Sequence, residues 1–201
     1  MRTNYVLIDF ENVHPASLVG LDADHFRVLV FVGASQKKLN FETAAALHRL
    51  GPRAEYVKIA GNGSNALDFH IAFHIGQLCA QDPNGYFHII SKDTGFDPLI
   101  QHLKERKVYA ARSKDVADIP LLKAANSKTT AEKVAVVVAN LQQRGASKPR
   151  TLKTLTSTIN SLFQKQLTEK DLDAVLRNMQ SQGLVAINET KVTYTLPPVE
   201  T

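Results

Sequence analysis

The chain has 201 residues, of which 44% are hydrophobic and 21% are charged, and its formal net charge is +5. This composition is ordinary for a soluble globular protein, and the single cysteine, Cys79, excludes an internal disulfide framework and a cysteine-rich zinc site. Because the sequence has no signal-like apolar segment and no stretch of membrane-spanning length, we expect a cytoplasmic protein with no membrane partner.

Apolar, β-favouring runs alternate with helical patterns over the first part of the chain. The predicted strands cover residues 4–9, 27–33, 54–59, 86–91 and 107–111. The predicted helices cover residues 41–50, 66–80 and 96–106, and shorter helical stretches lie near residues 15–19 and 119–125. Such alternation predicts right-handed crossovers and a mostly parallel sheet, and near-continuous apolar strands indicate that helices cover both faces.

The pattern changes near residues 126–129, which predicts a domain boundary there. The predicted elements that follow are helices over residues 130–144, 152–163 and 168–182, and a hairpin of residues 184–187 and 192–196. Thr168 is a candidate N-cap and Gly183 a candidate C-terminal stop for the third helix. Three helices and a hairpin are the layout of a winged helix-turn-helix, so we expect an α/β domain over residues 1–126 and a small α+β domain over residues 127–201.

Positive charge is concentrated in the second predicted domain. Residues 1–126 contain 14 lysines and arginines against 13 acids, whereas residues 127–201 contain 10 against 6. Between residues 144 and 165 there are five basic residues and no acid, namely Arg144, Lys148, Arg150, Lys153 and Lys165. A basic patch attracts polyanions, although a solvated face that keeps the protein soluble explains the charge equally well.

Aspartates follow two of the predicted strands. Asp9 ends the first strand, and Asp93 and Asp97 follow the strand at residues 86–91. The carboxyl edge of an open α/β sheet is where ligands bind, and carboxylate oxygens are the ligands that Mg²⁺ and Mn²⁺ prefer. The pattern therefore favours a divalent-metal site, in which Asn12 orients Asp9 or a bound water.

A further acid, Asp68, lies early in an otherwise apolar helix, where a carboxylate needs a partner. Each aspartate also has a purely structural interpretation, as a helix cap, an Asx turn or a favourable charge in a first helical turn. No glycine-rich phosphate loop is present, and Ser64 and Ser91 lack a nucleophile elbow, so serine hydrolysis has little support. For the pair His70 and His74, ordinary packing or a place at the edge of a site is favoured over a zinc site.

Three segments resemble the motifs of NYN domains, which are PIN-like metal-dependent nucleases. Residues 5–13 (YVLIDFENV) are similar to the opening motif, residues 61–68 (GNGSNALD) to the helix that carries the middle acid, and residues 89–100 (IISKDTGFDPLI) to the second acidic motif. The motifs occur in the family's order over roughly the first 125 residues. Many NYN domains have Ser-Gly-Asp-x-Asp-Phe in the last motif, whereas Gly95 replaces the second Asp here and Asp97 follows two residues later.

The resemblance implies a three-layer, parallel-sheet PIN-like (Rossmann-like) domain that hydrolyses RNA phosphodiester bonds with Mg²⁺ or Mn²⁺. Its implied metal ligands are Asp9, Asp68 and Asp93, with Asp97 as a fourth ligand or a water-orienting base. Asn12 is implied as a supporting residue, and Lys92, Ser64 and Asn65 as phosphate contacts. The alternative is a catalytically degenerate nucleic-acid-binding or scaffold protein.

The C-terminal part resembles the winged-helix modules, including the LOTUS type, that are attached to NYN domains. Such a module implies binding of RNA, or alternatively DNA, with backbone contacts from the basic stretch that contains Arg150 and Lys153. A protein-interaction or homodimerisation domain is an equally good interpretation.

Overall fold

A computed structural model describes residues 2–15, 18–61, 63–163 and 165–198. The chain forms two compact units, Met1–Ile119 and Pro120–Thr201. The helix Pro120–Asn126 groups with the second unit, whereas the change in sequence pattern lies after it.

The first unit is a parallel α/β domain. Its strands are β1 (Asn4–Asp9), β2 (Phe26–Val32), β3 (Ala54–Lys58), β4 (Tyr86–Ile90) and β5 (Tyr109–Ser113), and its helices are α1 (Phe41–Arg49), α2 (Ala66–Gln81) and α3 (Asp97–Glu105). All four strand pairings are parallel, and the order across the sheet is β3-β2-β1-β4-β5. This confirms the predicted α/β class and the parallel sheet.

Several predicted element boundaries differ from the structure, most of them by a single residue, and two of the differences have a local cause. The last strand begins at Tyr109 and not at Lys107, because Lys107 has a φ of 63° and belongs to the turn that ends α3. The helix predicted from residue 96 begins with a 3₁₀ turn over Thr94–Phe96, and α3 proper starts at Asp97. The helical stretch predicted near residues 15–19 falls partly outside the described residues.

Apolar faces of the helices hold the sheet in place. Helices α2 and α3 share one core with the strands, whose buried members include Leu7, Phe31, Phe87, Ile71 and Ile100. The connections β2–α1–β3 and β4–α3–β5 run in opposite directions across the sheet, so right-handed crossovers put α1 on the face opposite to α3. With helices on both faces, the strand ends are the part of the sheet that a ligand can reach.

The described residues of the second unit form four α-helices and a hairpin. Its elements are α4 (Pro120–Asn126), α5 (Thr130–Gln143), α6 (Leu152–Leu162), α7 (Glu169–Ser181) and an antiparallel pair, β6 (Val185–Asn188) and β7 (Lys191–Tyr194). Thr168 caps α7 and Gly183, at a φ of 68°, follows its end, as predicted. Among the described residues, no helix has the length and apolar character needed to cross a membrane.

Candidate active site at the carboxyl ends of β1 and β4

The carboxyl ends of β1 and β4 meet where the strand order reverses. From β1 the chain builds the sheet outward through β2 and β3, and it then returns to place β4 on the other side of β1. Ligands of open parallel sheets bind outside the carboxyl ends of the strands at such a switch point. Asp9 is the last residue of β1 and Ser91 directly follows β4, so both lie at this position.

Asp9 is a fully buried carboxylate, with 0% of its surface exposed. Its Oδ1 accepts hydrogen bonds from the backbone N–H groups of Glu11 and Asn12, both at 3.2 Å. Its Oδ2 accepts from the Asn12 side-chain amide and from the Ser91 hydroxyl, both at 2.7 Å. Four donors hydrogen-bond to the carboxylate, so its orientation is fixed.

The Ser91 hydroxyl joins the first acidic motif to the second. While donating to Asp9, the buried Ser91 Oγ accepts a hydrogen bond from the Asp93 backbone N–H at 3.0 Å. Asp93 in turn caps the 3₁₀ turn, because its Oδ1 accepts from the Gly95 N–H at 2.7 Å. A Cβ at position 95 would lie 3.1 Å from that oxygen, so Gly95 leaves the Asp93 carboxylate uncrowded.

Asp68 lies in the first turn of α2 and is electrostatically coupled to the strand-end acids. Burial raises the pKa of its carboxyl, and the negative charges of Asp9, Asp93 and Glu11 raise it further. Like charges act this way only over short distances in a partly desolvated setting. Asp68 is therefore near enough to Asp9, Asp93 and Glu11 for their charges to act on its carboxyl.

Glu11 is an acid of this edge that the interpretation of the sequence did not include as a site residue. A Cβ built on Gly33, directly after β2, would collide with the Glu11 carboxylate, so this side chain lies against bare backbone. The glycine makes room for an acid beside Asp9. The sequence signal was the combination of Glu11 two residues after Asp9 and a glycine at the end of the neighbouring strand.

Asp97 is held differently from the other acids. Its Oδ1 lies 2.8 Å from Arg112 Nε and its Oδ2 lies 3.0 Å from Arg112 Nη2, a two-point ion pair between α3 and β5. The hydrogen bond to Asp97 raises the pKa of the Arg112 guanidinium, although burial opposes this shift. Arg112 Nη1 also donates to the Ser91 carbonyl at 3.3 Å. Asp97 thus anchors the start of α3 next to the site.

The other acids of this edge differ from Asp97 in their pairing. Within the described part of the chain, no lysine or arginine forms an ion pair with Asp9, Glu11, Asp68 or Asp93. Over the same residues, no three histidine, cysteine, aspartate or glutamate side chains are close enough together to hold a metal ion. The edge therefore carries uncompensated negative charge from side chains that are near one another but not gathered around one point.

The predicted phosphate contacts in the first unit are all exposed. Lys92 separates Ser91 from Asp93 in the chain. Ser64 Oγ donates to Asn65 Oδ1 at 3.4 Å. Asn65 occupies the N-cap position of α2 at a φ of 59°, but its side chain makes no capping hydrogen bond, so this helix begins without a side-chain cap.

The two predicted contacts in the second unit flank a helix start. Arg150 and Lys153 are exposed on either side of Thr151, which caps α6. The Arg150 carbonyl accepts a hydrogen bond from the Val192 N–H at 3.0 Å, which connects this segment to β7. Both cations are therefore displayed beside the hairpin.

One family comparison covers the site. The model of a family described as PIN domain matches residues 3–113, a range that contains β1 to β5 and every acid described above. No curated protein and no solved structure matches the chain.

Proposed function

Because this chain belongs to the PIN domain family, whose members are generally metal-dependent nucleases, we propose that its first unit hydrolyses RNA phosphodiester bonds at the edge formed by β1 and β4. The observation that carries the proposal is the buried Asp9 carboxylate, which has no cationic partner in the described part of the chain and is linked through one serine hydroxyl to the Asp93 segment. The resemblance of the three acidic motifs to those of NYN domains supports the finer assignment within the family.

The donor set at this edge suits a hard divalent cation. Carboxylate oxygens are the preferred ligands of Mg²⁺ and Mn²⁺, and the charges of Asp9, Asp68 and Asp93 raise the free energy of the edge until a cation offsets them. We assign these three aspartates as the residues that would hold the ion, which requires their side chains to come closer together than they lie in the structure, and Glu11 is a further acid of the same edge. When bound, such an ion would polarise the phosphate and lower the pKa of water.

The surrounding residues orient the Asp9 carboxylate and offer groups that can bind the phosphates of the substrate. Asn12 and Ser91 fix the orientation of the Asp9 carboxylate through hydrogen bonds of 2.7 Å. Lys92, exposed between Ser91 and Asp93, supplies a positive charge for a phosphate next to the acids. Ser64 and Asn65 add neutral donors at the start of α2.

Asp97 has a positioning role in this proposal. A carboxylate that makes a two-point ion pair with a guanidinium is already neutralised. A role as metal ligand would require Asp97 to leave Arg112. We therefore place Asp97 as the residue that fixes α3 and, through Arg112, the Ser91 segment.

The test is hydrolysis of end-labelled RNA by the purified chain with Mg²⁺, Mn²⁺ or EDTA, and with DNA of the same sequence as a second substrate. We expect metal-dependent cleavage of RNA that EDTA stops. Failure to cleave either substrate with either metal would contradict the proposal.

A second candidate function is nucleic-acid binding or scaffolding without hydrolysis. It is favoured by Gly95 in place of the acid that many NYN domains have there and by the ion pair that occupies Asp97. Metal-independent RNA binding without cleavage is the result that would favour this second function.

We further propose that the second unit is a winged-helix module that contacts the nucleic-acid backbone. Three helices that lead into a hairpin support this assignment, and the exposed Arg150 and Lys153 next to β7 supply cations for phosphates. RNA is the proposed partner, DNA is the alternative ligand, and a protein partner or homodimer through this unit remains the alternative role. A cytoplasmic location is likewise proposed from the sequence.

The module's role is tested in the full chain. Arg150→Ala with Lys153→Ala should weaken RNA binding and reduce the slope of log K against log salt by about 0.7 for each phosphate that is no longer neutralised. Arg49→Ala, which removes an exposed charge from α1, is the control and should leave the slope unchanged. An unchanged slope in the double variant would favour the protein-interaction role.

A further inference from the structure

Helix α2 presents two large aromatic side chains to solvent. Phe69 is 70% exposed and Phe73 is 66% exposed, whereas Leu67, Ile71 and Ile75 of the same helix are buried against the sheet. Phe69 and Phe73 are four residues apart and so lie on one face, one turn from each other. Two exposed phenylalanines at this spacing form a continuous apolar surface.

The composition of α2 indicates that this outer face is covered in the working protein. Over sixteen residues, the only acidic or basic side chains are Asp68, His70 and His74. A helix that is apolar around its circumference is normally buried on all sides. The outer face therefore has the chemistry of a contact surface.

The size of the surface argues against a second copy of the chain. A sixteen-residue helix is about 24 Å long and 10 Å wide, or roughly 240 Å² in projection. A stable protein interface buries about 800 Å² on each partner. This face alone is too small for a stable dimer.

Its position favours nucleic acid. Phe69 follows Asp68 directly, so the aromatic face begins at the acidic edge and extends away from it along α2. The exposed Lys37 and Lys38 follow β2 at the same edge of the parallel sheet and are available to phosphates. Single-stranded RNA combines such phosphates with unpaired bases that stack on aromatic rings.

A neighbouring histidine restrains one of the two rings. His74 packs edge-on against both Phe73, at a centroid distance of 5.6 Å, and the buried Phe31, at 5.0 Å. Its Nδ1 also lies 2.8 Å from the His70 carbonyl. Phe73 is thus supported from the side while its outer surface stays open.

We propose that Phe69 and Phe73 form a base-stacking surface for single-stranded RNA, which leads the strand along α2 to the acidic edge. The assignment rests on the proposed nuclease function for its choice of ligand, but the binding itself does not require hydrolysis.

The experiment measures binding of the full chain to a labelled 12-nucleotide RNA in EDTA, so that no hydrolysis occurs. Phe69→Ala and Phe73→Ala should each weaken single-strand binding about tenfold, since a stacked base contributes roughly 1–3 kcal/mol. A 2-aminopurine in the RNA should lose fluorescence on binding to the unchanged chain and less so with the variants. A blunt duplex of the same sequence should be insensitive to both substitutions.

Matched variants distinguish base stacking from the general burial of apolar surface. Phe41→Ala removes another exposed phenylalanine, 82% accessible on α1, and should leave binding unchanged. Phe69→Leu and Phe73→Leu retain apolar surface but lack a ring and should bind as poorly as the alanine variants. Rescue by leucine, unchanged affinity, or a dimer that dissociates in the alanine variants would each overturn the inference. RNA binding through these rings without metal-dependent cleavage would leave the inference standing while the proposed function fails.

Discussion

The two units use polar side chains at their element ends in different ways. In the second unit, α5, α6 and α7 each begin with a reciprocal capping box, formed by the pairs Thr129 and Glu132, Thr151 and Thr154, and Thr168 and Asp171. In the first unit, α2 begins at a left-handed Asn65 without any side-chain cap. The polar side chains at this helix start, Ser64 and Asn65, are hydrogen-bonded to each other instead.

The difference is one of sequence distance. Each capping box joins residues three apart and satisfies the backbone of its own helix. At the acidic edge, Ser91 donates to Asp9 over 82 positions and Arg112 binds Asp97 over 15. The second unit thus uses such side chains to define helix ends, whereas the first unit, in which Asn40 caps α1 in the same local way, also uses them to hold charged groups at a sheet edge.

The largest expected effect is on RNA cleavage, and it is tested by replacing one aspartate with asparagine in each unit. Asp93→Asn should reduce metal-dependent RNA cleavage by at least roughly 100-fold, because even the loss of an outer partner of a metal site commonly reduces activity 10–100-fold. Asp171→Asn makes the same chemical change in a capping box and should leave cleavage per folded molecule unchanged. The measurement is the initial rate on labelled RNA, with circular dichroism to confirm folding. Equal losses in both variants would remove the proposed distinction between the units.

The loss of folding stability at acidic pH should also arise mainly in the first unit, because of His88. This side chain is buried in β4, its Nε2 lies 2.9 Å from Asn4 Oδ1, and its Nδ1 has no hydrogen-bond partner among the described atoms. Burial lowers the pKa of His88 to about 3. Between pH 6.5 and about 3 the unfolded chain binds a proton at this position that the folded chain does not, so stability falls as the pH falls.

The measurement is the free energy of unfolding at pH 7 and pH 5, for the unchanged chain and for His88→Leu. The unchanged chain should lose about 2 kcal/mol more than the variant over this interval. The comparison cancels the contributions of the other titrating groups. An identical loss in both proteins would show that His88 titrates normally.

Local sequence signals were sufficient for most of the fold. The alternation of apolar strands and helices predicted the parallel sheet, and Thr168 and Gly183 marked the ends of α7, because these features depend on residues within a few positions of one another. The predicted start of β5 was wrong because Lys107 adopts a left-handed conformation, which lysine seldom adopts. Nothing in the neighbouring sequence indicates this turn.

The candidate site was only partly accessible to the same reasoning. Asp9, Asp68 and Asp93 could be proposed from their positions at strand ends and in an apolar helix. The hydroxyl bridge of Ser91, the pairing of Asp97 with Arg112 and the place of Glu11 against Gly33 depend on which strands are neighbours. These contacts between distant parts of the chain cannot be predicted from any single segment of the sequence.

The smallest predicted effect concerns the caps. Thr168→Ala should lower the free energy of unfolding of the second unit by about 1 kcal/mol, since Thr168 Oγ1 accepts from the Asp171 N–H at 3.1 Å. Asn65→Gly should change stability by no more than a few tenths of a kcal/mol, because its side chain makes no cap and glycine accepts a positive φ. Chemical denaturation measures both, and a larger effect at Asn65 than at Thr168 would reverse the comparison.

The most direct test of the account is the binding of Mn²⁺, followed by the loss of the free-ion signal in electron paramagnetic resonance. The account predicts that the unchanged chain binds Mn²⁺, that Asp93→Asn abolishes or severely weakens the binding, and that Asp97→Asn retains it, because Asp97 is already neutralised by Arg112. The absence of Mn²⁺ binding to the unchanged chain, or its loss in Asp97→Asn but not in Asp93→Asn, would contradict the assignment of the β1–β4 edge as a metal-dependent site.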